Sequence, residues 1–402
     1  MNQINYKEIV KNRYFVPVLM GIVIAIGGIL VGVSKDDGKT TNNGEGVEVK
    51  EIVDIKGKKD MKSLLFGQKT YTLSYASMDP LAVENISLFE FSDGWKGDGF
   101  LDWRNFYEGK SSLGVASDNH QPGIVFLEKN LDLSNFDVIE FPLSVSDINS
   151  LESIVVKIGD SSLTNYFSYN LSNMLGGWQV VRIPMNQFVS HGTNPESGWK
   201  NIQKIQFEVV SRPNTTEIVN FDYLTAQKSA DYLSKWKMTD DRFLSLAKKD
   251  DKIVLLARNE GAMQAVLSEV NGENFTFQAS FVPQTVGGAL GLFFRGNYGN
   301  SKGYYLLADG INKNSFTLKK LGSGGWEDLK TVEISNFVLE KDQKYWLKVE
   351  AKGKTIIGFV SVDGENFTEI LNVDDDEFSS GGLGITVFSR SYGFFDDFKF
   401  EQ

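Results

Sequence analysis

Tyr71-Thr-Leu-Ser-Tyr75 and Ile86-Ser-Leu-Phe-Glu-Phe91 decide how this chain is read. In both, large apolar residues return with a period of two, which puts one row of side chains on a core only if the backbone is extended. Similar runs continue at Gly123 to Glu128, Val138 to Val145, Ser153 to Ile158, Tyr166 to Tyr169, Gln179 to Ile183, Ile205 to Val210 and Val219 to Leu224. Turn residues separate them at intervals of roughly ten, and no convincing amphipathic helix intervenes, which is the spacing of a β-sandwich. After a boundary at Ala226 to Ala230 a second series begins with Ile253 to Ala257 and Phe275 to Phe281. It continues through Ala289 to Arg295, Tyr304 to Ala308, Ser315 to Lys319, Tyr345 to Glu350, Ile356 to Val362 and Leu383 to Phe388. Val270-Asn-Gly-Glu-Asn-Phe275 and Val362-Asp-Gly-Glu-Asn-Phe367 are near copies with hairpin chemistry, though two similar turns do not make a repeat.

Composition agrees. Of 402 residues, 29 are Phe, 14 Tyr and 7 Trp, and 39 Gly against 8 Pro suits tight turns between strands. With no cysteine, disulfides, thiol nucleophiles and Cys-ligated zinc are excluded together. A net charge of -11 argues against nucleic acid, which demands a basic surface.

Upstream, residues 14–33 read YFVPVLMGIVIAIGGILVGV without a charge, long enough to span a bilayer as a helix. Lys7, Lys11 and Arg13 precede the run, so the positive-inside rule expects a cytoplasmic N-terminus at 1–13 and an extracellular remainder. A cleaved signal peptide is the competing reading, but the run is long and ends without a small-x-small site. Gly28 and Gly32 form one GxxxG, a weak motif through which two such helices can associate, and a plain flexible apolar helix is the readier explanation. Residues 34–63 are polar and Gly-rich and read as a flexible linker. The expected organisation is thus all-β, two consecutive antiparallel sandwiches at 64–228 and 229–402 behind a single transmembrane helix.

Phe89-Glu90-Phe91 with Gly94-Trp95, Tyr107 to Gly114, Gly177 to Pro184, Trp199 to Ile205 and Phe221-Asp222-Tyr-Leu224 fall in an order that resembles the galactose-binding-like jelly rolls, which include many carbohydrate-binding modules. Gly291 to Arg295, Gly303 to Leu307, Tyr345 to Glu350, Val362-Asp-Gly364, Gly381 to Gly384 and Phe394 to Phe398 resemble the concanavalin-like or laminin-G-like sandwiches. The first resemblance covers about residues 84–227 and the second about 231–402. It implies structural calcium: an early glutamate and a late aspartate correspond to Glu90 and Asp222, and the closing Phe-Asp-Asp-Phe supplies Asp396 and Asp397. Strand capping is the plainer role for all four.

Sugar recognition needs an aromatic face for the apolar side of a pyranose and polar neighbours for its hydroxyls. Trp178 and Trp199 match core positions of the resembled pattern and are set aside. Trp103, Tyr107, Tyr166 and Tyr169 remain, with Arg104 and Asn165 beside them, and Arg295, Tyr304, Tyr305 and a loop-borne Trp326 in the second half. Ordinary packing competes for each, and only a cluster on one face would mean binding. His120 and His191 sit in loop-like contexts without metal-ligand spacing and read as exposed turn residues. No nucleophile elbow, H-E-x-x-H or P-loop is present, while a glycosidase-type carboxylate pair is invisible to spacing. The expectation is a surface protein that binds glycan without catalysis. A surface glycoside hydrolase and a structural adhesion partner in a cell-envelope complex are the alternatives.

Overall fold

A computed structural model describes residues 51–54 and 70–402, apart from 91–93, 194, 260–262, 286, 312, 336 and 390. The expected transmembrane segment and most of the expected linker lie outside the described residues. Among the described residues no helix is long and apolar enough to cross a membrane.

Two antiparallel sandwiches account for the described chain. The first packs a six-stranded sheet on a seven-stranded one. The six run in the order Val189–His191, Tyr166–Leu171, Leu151–Gly159, Ile202–Ser211, Gly123–Leu131, Trp95–Gly97. The strand Val138–Val145 is central in the other sheet, pairing with Gly177–Pro184 on one side and with Thr216–Phe221 and Leu224–Gln227 on the other. Alternation positions the core: the inward row Phe167, Ile158, Ile205, Leu127, Trp95 crosses five strands in register. Phe207 and Phe221 stack between the sheets at 4.2 Å. Fully buried side chains of this kind contribute roughly 1.5–3 kcal/mol each.

The second sandwich has two eight-stranded sheets. In one, Tyr392–Glu401 lies between Lys252–Arg258 and Phe275–Pro283. Phe275, Phe277 and Phe281 point from it into a core shared with Phe294, Tyr304 and Phe316 of the facing sheet. The strand Thr70–Leu73, expected at the head of the first sandwich, pairs with the last strand of the second, Thr70 opposite Glu401 and Leu73 opposite Phe398. Tyr75 follows it into that core, where the Trp236 indole N–H donates to its hydroxyl at 2.7 Å. The period of two at Ile86 to Phe91 also ends early. The strand stops at Ser87, and Phe89, at φ +54°, turns back to stack on Trp95 at 5.1 Å.

A charged seam joins the sandwiches. Glu140, on the central strand of the first, accepts from Arg258 of the second at 3.1 and 3.2 Å and from Arg182 at 3.5 Å. Arg182 also donates to the Leu244 carbonyl at 2.7 Å and to the Ser229 hydroxyl. All three charged side chains are at most 7% exposed. Beside them Tyr107 stacks on Tyr392 at 5.8 Å and 18°.

Candidate functional site

The outer face of the six-stranded sheet is polar because the same alternation that buries one row exposes the next. Val189, Ser168, Lys157, Gln206, Phe126 and Lys96 form one row straight across six strands, and His191, Tyr166, Gly159, Lys204 and Glu128 form its neighbour. Salt bridges and a cation–π contact fix its middle and far edge: Lys157 to Glu208 at 2.7 Å, Lys96 to Glu128 at 2.6 Å, and the Lys204 ammonium 4.1 Å above the Phe126 ring. At the near edge the rings of Tyr166 and His191 stack at 4.6 Å and 13°, and Ser168 Oγ lies 2.7 Å from His191 Nε2. Gly159 permits this arrangement, since a Cβ there would stand 2.5 Å from that of Tyr166.

The stacked pair borders a pocket of about 170 Å³, lined also by Asp160, Asn165, Asn201 and Gln203. Burial opposes ionisation of Asp160, but hydrogen bonds from the Asn165 amide and side chain, the Thr164 amide and the Ser162 hydroxyl outweigh it and pull its carboxyl down to about 2. That carboxylate organises the 160–165 turn and sets the position of Asn165, whose Oδ1 accepts from the Thr193 amide at 3.2 Å. The result is an aromatic platform beside convergent amide, hydroxyl and carboxylate groups, the chemistry that grips a sugar.

Of the residues expected to bind ligand, Asn165 and Tyr166 meet here. Tyr169 faces inward, tilted against Phe188 with its hydroxyl 3.4 Å from Gln187. Trp103 and Arg104 are exposed in the loop after Gly99–Asp102. Tyr107 belongs to the seam. Trp178 is not a core residue: half-buried on the outer face of the seven-stranded sheet, it donates from its indole to Asn105 at 2.8 Å and tilts against Tyr107. Trp199 does pack against the core, flat on Phe167 at 4.1 Å. His191, read as an exposed turn residue, is half-buried in a strand, a placement its flanking Ser and Gly concealed.

The second-half candidates do not form a platform, because strand alternation and covering loops bury most of them. Tyr304 is fully buried and donates to Asp375 at 2.5 Å. Tyr305 is buried too, its hydroxyl donating to the Ser301 carbonyl. Arg295 is 1% exposed and spends its guanidinium on the carbonyls of Glu273 and Phe378. Trp326, expected on a loop, opens the strand Gly325–Ser335 and leans on Tyr305 and Phe388, 45% exposed.

Each carboxylate considered for calcium holds backbone or an ion pair. Asp222 accepts from the amides of Tyr107, Glu108 and Tyr223, and Glu90 from that of Lys110 at 2.6 Å, so both fasten one loop. Asp396 takes the amides of Tyr75 and Ala76, while Asp397 pairs with Lys344 at 2.6 Å. Among the described residues no group of three or more His, Asp or Glu side chains is placed to hold a metal ion. Burial pushes the Asp222 carboxyl up to about 7 and raises that of Glu108 as well. These perturbed acids sit in the seam, closed between the sandwiches.

No family model and no curated protein matches the chain. Among solved structures it is similar to the carbohydrate-binding module CBM66 from Bacillus subtilis, at 19% identity over 42% of this chain and 96% of that one, with a TM-score of 0.35. A family 11 carbohydrate-binding module from Clostridium thermocellum, in complex with a mixed-linked tetrasaccharide, matches at 15% identity over 36% of this chain and 95% of that one, TM-score 0.29. A Bacillus subtilis protein of unknown function with a galectin-like fold matches at 16% over 43% and 91%, TM-score 0.31. At these identities and scores the likeness carries no function across.

Proposed function

We propose that this protein binds carbohydrate without catalysis, through the outer face of the six-stranded sheet, and that residues 14–33 hold it at a membrane with the sandwiches outside. The observation that carries the binding reading is the stacked Tyr166–His191 pair beside a pocket ringed by Asp160, Asn165, Asn201 and Gln203. A sugar ring lying on this pair exchanges apolar contact with the aromatic face, while amide and carboxylate groups take its hydroxyls. The raised-pKa carboxylates Asp222 and Glu108 have no part in it, being enclosed in the seam.

The test is retention of purified protein on a panel of neutral insoluble and arrayed glycans. Tyr166→Ala removes the platform without opening the core, so retention should fall about tenfold, matching roughly 1.4 kcal/mol of lost aromatic contact, with an unchanged melting temperature. Equal retention by Tyr166→Ala and His191→Ala would refute this site.

A further inference from the structure

We infer that the second sandwich carries a separate site for an anionic saccharide, built where its Gln264–Gly272, Leu290–Asn297 and Gly381–Val387 strands lose register. The inference rests on the carbohydrate-binding reading above but on different residues.

Gln264–Gly272 and Gly381–Val387 slip out of register between Val266 and Asn271, and Leu290–Asn297 slips against both its neighbours just past Phe293 and Phe294. Bulges of this kind re-aim side chains and open a sheet locally. Here they leave a concavity of about 580 Å³. At its base Arg295 adopts φ +46°, a left-handed conformation that costs a bulky residue of order 1–3 kcal/mol and persists where the surroundings impose it. What imposes it is visible: the guanidinium is clamped by the Glu273 and Phe378 carbonyls, and glycines crowd the backbone, a Cβ on Gly381 falling 2.4 Å from the Arg295 carbonyl carbon.

The lining points to the ligand. Asn271, Asn297, Asn300 and Tyr298 supply amides and a ring, while Lys237 and Lys302 supply exposed positive charge above the buried Arg295. No aspartate or glutamate lines the concavity, in a chain whose net charge is -11. Several other lysines of these sheets are matched with acids, as Lys319 is with Asp328 and Lys348 with Glu350. Lys237 and Lys302 have no ion pair among the described residues. The loop between them and the base is held in place by Gln264, whose amide donates to the Tyr298 carbonyl at 3.1 Å and the Ser301 hydroxyl at 2.6 Å. Amides suit sugar hydroxyls and a paired ammonium suits a charged substituent. A sugar bearing a carboxylate or a sulfate ester satisfies both, whereas nucleic acid is disfavoured by the charge of the whole molecule.

The experiment titrates the full protein with oligogalacturonate, with dextran sulfate and with a neutral galactan. The charge-reversed pair Lys237→Glu/Lys302→Glu should bind the anionic probe about tenfold more weakly, the effect of two exposed charge contacts. The pair Lys237→Arg/Lys302→Arg should keep that binding. Both lysines are exposed, so melting should not change. Preference for oligogalacturonate assigns a carboxylate, and preference for dextran sulfate a sulfate ester. Equal anionic binding by the charge-reversed pair, or no binding of either anionic probe by the unmodified protein, overturns the site. Neutral-glycan retention that depends on Tyr166 would then still stand. Loss of that retention with lysine-dependent anionic binding intact would instead refute the first site and keep this one.

Discussion

Substituting Glu140 by Gln asks how the two sandwiches are held as one body. The change keeps shape and volume but removes the negative charge that faces Arg258 at 3.1 Å and Arg182 at 3.5 Å. Arg182 retains the Leu244 carbonyl and Ser229, and Arg258 retains Ser245, so both stay hydrogen-bonded while losing the carboxylate they are paired with in a buried site. Removing one partner of a buried ion pair typically costs about 3–5 kcal/mol, while replacing the pair by apolar groups is often near neutral. At about 2 °C per kcal/mol for a body of this size, Glu140→Gln should lower the melting temperature by roughly 6–10 °C. The double variant Glu140→Leu/Arg258→Met should recover at least half of that loss. Calorimetry reads both, and also reports whether the transition splits, as it should if the seam fails before either core. Should Glu140→Gln melt within about 2 °C of the unmodified protein, less than 1 kcal/mol at that scale, the charges are not what couples the sandwiches.

Further expectations concern pH and chain entry. Because the Asp222 carboxyl is raised to about 7 by burial, the native state holds its proton more tightly than the unfolded chain. Stability should therefore decline as pH rises from about 4 to about 7 and level off above it. Asp222→Asn, though less stable throughout for want of an acceptor, should flatten that slope in denaturant titrations; an unchanged slope would assign it to other groups. Asp396→Ala strands the buried amides of Tyr75 and Ala76 at about 1–3 kcal/mol each. Amide exchange at Thr70–Leu73 should accelerate before that of the core strands, and uniform acceleration would show that Asp396 is not a local latch.

The strands were legible wherever both faces of the sheet differ in polarity. Val138 to Val145 was bounded to the residue, because Ile139, Phe141, Leu143 and Val145 alternate with Glu140, Pro142 and Ser144 between flanking turn residues. What spacing does not carry is the partner across the sheet. The near-identical hexapeptides illustrate this. After Thr355–Ser361 the 362–367 segment joins neighbouring strands of one sheet, with Asp363 accepting from Glu365 and Asn366. After Gln264–Gly272 the copy carries the chain from one sheet to the other. Asn165 and Tyr166 were legible as a polar–aromatic step, but His191 joins them only through the pairing of Val189–His191 with Tyr166–Leu171. Tyr304 misled because it points into the core between the sheets, Tyr305 because Trp326 and Phe388 cover it on the outer face, and Arg295 because the Glu273 and Phe378 carbonyls take up its guanidinium.

The pairing of Thr70 with Glu401 places the start of the long described stretch, at residue 70, beside its last strand. Mechanically, the first sandwich is therefore a side branch. A pull arriving from upstream meets first the Glu51–Asp54 strand on Gly325–Ser335 and then the Thr70–Leu73 ladder on Tyr392–Glu401, both in the second sandwich. A load drawn on the Tyr166 face reaches the second sandwich through the Glu140 seam and through the two backbone crossings at 74–82 and 228–235. Stretched between its N-terminal side and the Tyr166 face, the protein loads the strand ladders and the seam, and neither core need yield first.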